Sequence, residues 1–147
     1  MSTPLLVHFV GGSEGPWRVV RADTLRGETL PVASHVSLTA GPPPTDDAPA
    51  WNLRGVVSHQ RYVERFESEA LRHAQAGLGR LEATRAALIP IRKSDRWWAL
   101  AQDERRAIFE GSSRHIASTL RFLPAVARRL HHSRDLGEAF DFLTWFE

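Results

Sequence analysis

The chain contains no cysteine. Disulfides, thiolate nucleophiles and sulfur-ligated zinc or iron–sulfur sites are therefore excluded, and any bound metal must be held by histidine, carboxylate or another oxygen. Lysine and tyrosine are nearly missing as well: Lys93 and Tyr62 are the only ones, and every other basic position is arginine. Charge of one sign is also scarce, since 19 basic and 17 acidic residues leave a net charge of +2. The sequence pI of 9.9 reflects arginine in place of lysine, not a basic patch. Acids are interleaved with bases, as in Glu64-Arg65-Phe66-Glu67 and Asp103-Glu104-Arg105-Arg106, so the dense cationic stripe of a nucleic-acid binder is absent. Long apolar runs are missing too. The stretch Leu5–Val10 is too short to span a bilayer and has no basic region before it. It reads as a first strand, with neither an export signal nor a membrane span, and a cytoplasmic location is the expectation.

What is present suits a soluble folded chain of 147 residues, 42% hydrophobic and 24% charged, enough for one domain or two small subdomains. Leu5–Val10 and Trp17–Val20 read as short strands set off by Gly11-Gly12 and Gly15-Pro16. The proline-rich run over 41–49 is the strongest break, one no sheet could continue through. Trp51–Val63 reads as a strand and Glu64–Leu78 as a helix ended by Gly77 and Gly79. Ala86–Lys93 is an apolar strand whose Pro90 predicts a sheet edge or a bulge. Gln102–Leu123 has a helical pattern, opened by Asp103 and Glu104 and stopped by Pro124. Ala125–His132 then alternates, with Val126, Arg128, Leu130 and His132 on one face; after the polar turn Ser133–Ala139, Phe140, Phe142, Thr144 and Phe146 align likewise. The second half thus runs strand, helix, strand, strand. A ferredoxin-like unit would continue with another helix and strand.

Three positions stand out chemically. The helical neighbours of His115 are Gly111, Ser112, Ser118 and Thr119, all small, with Ile108 and Phe122 farther along the stripe. Glycine inside a helix costs about 1 kcal/mol relative to alanine, so Gly111 points to a packing reason, such as a recess for a flat apolar ligand over the imidazole. A histidine packed beside small residues fits the same pattern. Arg128, between Val126 and Leu130, would bring a guanidinium to the inward face, where it has to meet an anion or a set of acceptors; pairing with a structural carboxylate would also satisfy it. Arg129, opposite, reads as a solvated charge. Lys93 suits a point-charge role. His131-His132 alternate across a strand, which argues against a shared metal.

Several blocks together resemble the chlorite dismutase family, and its short, dimeric branch in particular. They are Ala86-Ala87-Leu88-Ile89-Pro90-Ile91-Arg92-Lys93-Ser94, Trp97-Trp98, Asp103-Glu104-Arg105-Arg106, Ser113-Arg114-His115-Ile116 and Phe140-Asp141-Phe142-Leu143-Thr144-Trp145-Phe146-Glu147. The resemblance implies an α+β fold of the ferredoxin-like α/β-barrel type with antiparallel sheets. In this division 1–49 gives the N-terminal strands and Pro-rich loop of a reduced first unit, 50–85 continues that unit, and 86–147 forms the haem-binding second unit. It also implies haem b as cofactor, a homodimer, and decomposition of chlorite to chloride and dioxygen.

By the same resemblance His115 matches the proximal iron ligand and Arg128 the distal arginine, with Gln75 able to hydrogen-bond it. Thr144 and Phe146 match distal-pocket residues, Tyr62 and Lys93 lie near the haem propionates, Trp97 packs near the haem, and Trp98 lies toward a subunit interface. The family's glutamate that hydrogen-bonds the proximal histidine would follow Glu147, so the second unit is expected to be incomplete. Second-shell carboxylates of that kind fix the histidine tautomer. Two other readings compete: a coproporphyrin-haem decarboxylase-like enzyme, which Arg128 argues against, and a non-catalytic haem-binding or dimerisation module.

Overall fold

A computed structural model describes residues 4–42, 48–58, 77–108, 121–122 and 125–147. Among the described residues seven strands form one antiparallel sheet: β1 (Leu6–Gly12), β2 (Trp17–Arg18), β3 (His35–Ala40), β4 (Trp51–Val57), β5 (Ala87–Ile91), β6 (Arg128–His132) and β7 (Phe142–Phe146). Their spatial order is β2-β3-β1-β4-β6-β7-β5. Two short helices, α1 (Asp95–Trp98) and α2 (Gln102–Arg106), follow β5. This is the α+β arrangement expected from the sequence. Among the described residues no helix is long and apolar enough to cross a membrane.

The strands form where apolar residues alternate, and register fixes which residues share a face. Phe9 pairs with Leu53 and Leu38 across β1, and Val7, Phe9, Val36, Leu53, Leu143 and Trp145 make one buried cluster. Two glycines let this core face close. A Cβ on Gly11 would sit 2.1 Å from the Trp51 ring, its direct partner in register. A Cβ on Gly55 would sit 2.5 Å from the Cβ of His131. Without side chains there, β1 accepts an indole and β4 accepts β6.

The strands of the two halves meet at β4 and β6, through Val56↔His132 and Val57↔His131; Ser58 N–H adds a bond to the Leu130 carbonyl at 2.8 Å. Beyond that seam, β6 and β7 form a hairpin closed by a 3₁₀ turn over Arg134–Leu136 and Gly137 at φ +73°. This is the polar turn read from the sequence. β5 is the terminal strand, as Pro90 predicted, because a residue without an N–H suits an edge.

Some boundaries differ. The strand expected over Trp51–Val63 ends at Val57, and that over Trp17–Val20 at Arg18, where the chain turns out to leave Val20 76% exposed. β3 was not foreseen, although Val36-Ser37-Leu38-Thr39 alternates apolar and polar residues as a half-buried strand does. The helix expected from Gln102 is described as helix through Arg106. Its main length, like most of the helix expected over Glu64–Leu78, lies outside the described residues.

Candidate functional site

The β6–β7–β5 region has two faces. In register Arg128 opposes Phe146, Leu130 opposes Thr144 and His132 opposes Phe142; on the far side of β7, Ile89 opposes Thr144 and Ile91 opposes Phe142. Arg128, Thr144 and Phe146, chosen from the sequence for one pocket, therefore share a face. That face mixes buried Thr144 and Phe142 with Ile89, which remains 45% exposed. Burial pushes the Arg128 guanidinium below the ordinary arginine range, because the charged form loses water.

The opposite face carries His131, Leu143 and Trp145. His131 is fully buried, its ring edge-on to Phe9 at 4.7 Å. Nδ1 lies 3.0 Å from the Leu143 carbonyl, and Arg129 Nε donates to Nε2 at 3.0 Å. That network assigns a neutral ring with the proton on Nδ1. The expectation that Arg129 is an ordinary solvated charge is therefore wrong. Its face is the packed one, and burial lowers its pKa while the nearby Glu147 carboxylate raises it. Phe140 was likewise expected to align with Phe142, yet it packs against the core cluster.

Lys93 and Trp97 lie past the other end of β5, beyond the Ile91↔Phe142 pair, whereas Arg128 is at the Phe146 end. The four-residue offset along β7 corresponds to about 13 Å at 3.3 Å per residue. Ser94 caps α1, its hydroxyl accepting from Trp97 N–H at 3.2 Å. This sets Trp97 into the interior, 8% exposed, with the Lys93 ammonium 4.6 Å from its ring centre, a cation–π distance. The assigned positions His115, Gln75 and Tyr62 lie outside the described residues. Among those described, no group of three His, Cys, Asp or Glu could hold a metal.

Arg105, Arg134 and Asp141, given no role in the sequence reading, organise this end around Trp98. Arg105 is buried and donates to the Trp97 carbonyl at 3.1 Å and the Trp98 carbonyl at 2.6 Å, satisfying α1's last acceptors. Trp98 stacks on Phe142, centroids 5.8 Å apart, with Arg134 over its ring at 3.9 Å. Its indole N–H donates to Asp141 Oδ2 at 3.2 Å. The signal for Asp141 was a lone carboxylate opening an otherwise apolar strand.

No protein-family model matches the chain. The dimeric chlorite dismutase of Nitrobacter winogradskyi is similar over 96% of this chain and 79% of its own, with 58% identity and a TM-score of 0.85. A chlorite dismutase of Candidatus Nitrospira defluvii, solved in complex with imidazole, is 31% identical over 75% of this chain and 41% of its own, with a TM-score of 0.52. Chlorite dismutase of Ideonella dechloratans is 34% identical over 98 residues, 65% of this chain. That alignment spans 33% of the relative, about a third of its length. The extent and identity of the Nitrobacter match establish that this chain belongs to the chlorite dismutase family.

Proposed function

We propose that the protein binds haem b against the Arg128–Thr144–Phe146 face, with His115 as its iron ligand, and uses it to decompose chlorite to chloride and dioxygen as a homodimer. The observation that carries this reading is the desolvated guanidinium of Arg128 on a partly open apolar face, in a chain 58% identical to a chlorite dismutase whose structure is dimeric. The described residues fit the group. A flat apolar ring with carboxylate arms suits Leu130, Ile89 and Thr144 in the middle of the face, with Phe146 at the Arg128 end and the Lys93 ammonium and Trp97 beyond the other. The iron ligand is assigned to His115 by resemblance.

When bound, haem supplies the iron at which oxygen leaves chlorine. The chain's residues do the rest. Arg128 draws the chlorite anion out of water, because a charge-assisted N–H bond strengthens where few dipoles compete. Thr144 and Phe146 would wall the anion in, and by the resemblance Gln75 would orient that guanidinium while Lys93 and Tyr62 would hold the propionates. The overall conversion, ClO₂⁻ to Cl⁻ and O₂, neither takes up nor releases a proton, so no general base is needed. A guanidinium at this position also favours chlorite chemistry over porphyrin decarboxylation.

Titrating the protein with haem, followed by the Soret band, tests the reading. A saturable Soret shift is expected in the parent, and its loss in His115→Ala with an unchanged far-ultraviolet circular dichroism spectrum. Identical haem spectra in parent and variant would refute the ligand assignment.

A further inference from the structure

Asp141 is tied at both ends of its backbone and then reaches sideways. Its N–H donates to the Ile91 carbonyl at 2.8 Å, and its carbonyl accepts from Ser133 N–H at 2.9 Å and Arg134 N–H at 3.3 Å. The residue is thus locked to the end of β5 and to the β6–β7 turn at once. The residue is 9% exposed, and its side chain directs one oxygen, Oδ2, at two donors: Lys93 N–H at 2.6 Å and the Trp98 indole N–H at 3.2 Å. Those donors lie on either side of Ser94 and Trp97, so a single carboxylate staples the segment that leads from β5 through α1.

A buried carboxylate is costly unless donors surround it, and here the donors are the backbone N–H of the cation Lys93 itself and the indole N–H of Trp98, next to Trp97. We infer that Asp141 is a positioning residue for cofactor binding. By fixing the Lys93 backbone and the Trp98 ring it holds the Lys93 ammonium and Trp97 where a haem propionate would meet them. This rests on the haem reading above. It differs from simple hairpin glue in one respect: its effect must pass through the Lys93 charge, and so must depend on a carboxylate in the ligand.

The ligand itself can therefore be edited. Haem b and its dimethyl ester share the same ring, but the ester has no carboxylate to pair with an ammonium. Both are titrated into the full chain and into Asp141→Ala and Asp141→Asn, with exchange of the Lys93 amide hydrogen measured before ligand is added. Asp141→Ala should weaken haem binding by about ten-fold and Asp141→Asn, whose amide oxygen can still accept, by about three-fold, the scale of one charge-assisted bond and of its partial replacement. The ester should bind parent and variants alike, and the Lys93 amide should exchange faster in Asp141→Ala. Should Asp141→Ala fail to fold, Asp141→Asn carries the same comparison. Equal losses for haem and ester would overturn the inference in favour of a packing role. Unchanged haem affinity beside a fast-exchanging Lys93 amide would overturn it while leaving haem binding intact. No Soret response in the parent would remove the haem reading and the inference with it.

Discussion

The two faces of the β6–β7 hairpin are built from the same ten residues and treat polarity in opposite ways. On the core face, His131 is buried and both ring nitrogens have protein partners, the Leu143 carbonyl and Arg129. A polar group that ends in a closed network specifies packing and is not poised for chemistry. On the other face, Arg128 is held in a desolvated position beside Thr144 and Phe146, and the surface remains partly open at Ile89. Proteins tolerate the cost of desolvating a cation where a ligand is to be bound. If the proposed haem site is right, stability and function are segregated across one pair of strands, with one residue of backbone register separating them.

Substitutions can break or sharpen that separation. The largest expected effect is on the core face: Phe9→Ala empties the centre of the cluster and should cost about 3–5 kcal/mol, read as a fall in urea midpoint. His131→Leu should come next. It strands the Arg129 Nε and the Leu143 carbonyl, a loss of about 1–3 kcal/mol, without affecting haem affinity, since the ring faces away from Arg128. Thr144→Val, on the opposite face, removes one hydroxyl and should change stability by about 1 kcal/mol, the scale of a single hydrogen bond. If Thr144→Val proved as costly as His131→Leu, the two faces would not be energetically distinct.

Much of this was legible from the sequence, for physical reasons. The β7 alternation of Phe142, Thr144 and Phe146 survives in the structure, and Pro90 marked the sheet edge because it lacks a donor. Sidedness in β6 was harder. Arg128-Arg129-Leu130-His131-His132 places a cation and a histidine on each face, so alternation cannot say which face is packed; that depends on Phe9 and Gly55 in strands remote in sequence. The role of Asp141 was illegible for the same reason, since its partners are Lys93 and Trp98, more than forty positions away. Conversely, grouping Arg128 with Thr144 and Phe146 rested on family resemblance, and the register of β6 against β7 independently puts them together.

The most direct measurement is oxygen release on adding chlorite to the haem-loaded protein and to its Arg128→Met variant, each checked for its Soret band and melting temperature. The parent should evolve one dioxygen per chlorite. The variant should keep haem and lose about ten-fold or more of its turnover. Undiminished and sustained oxygen release from Arg128→Met would contradict the account.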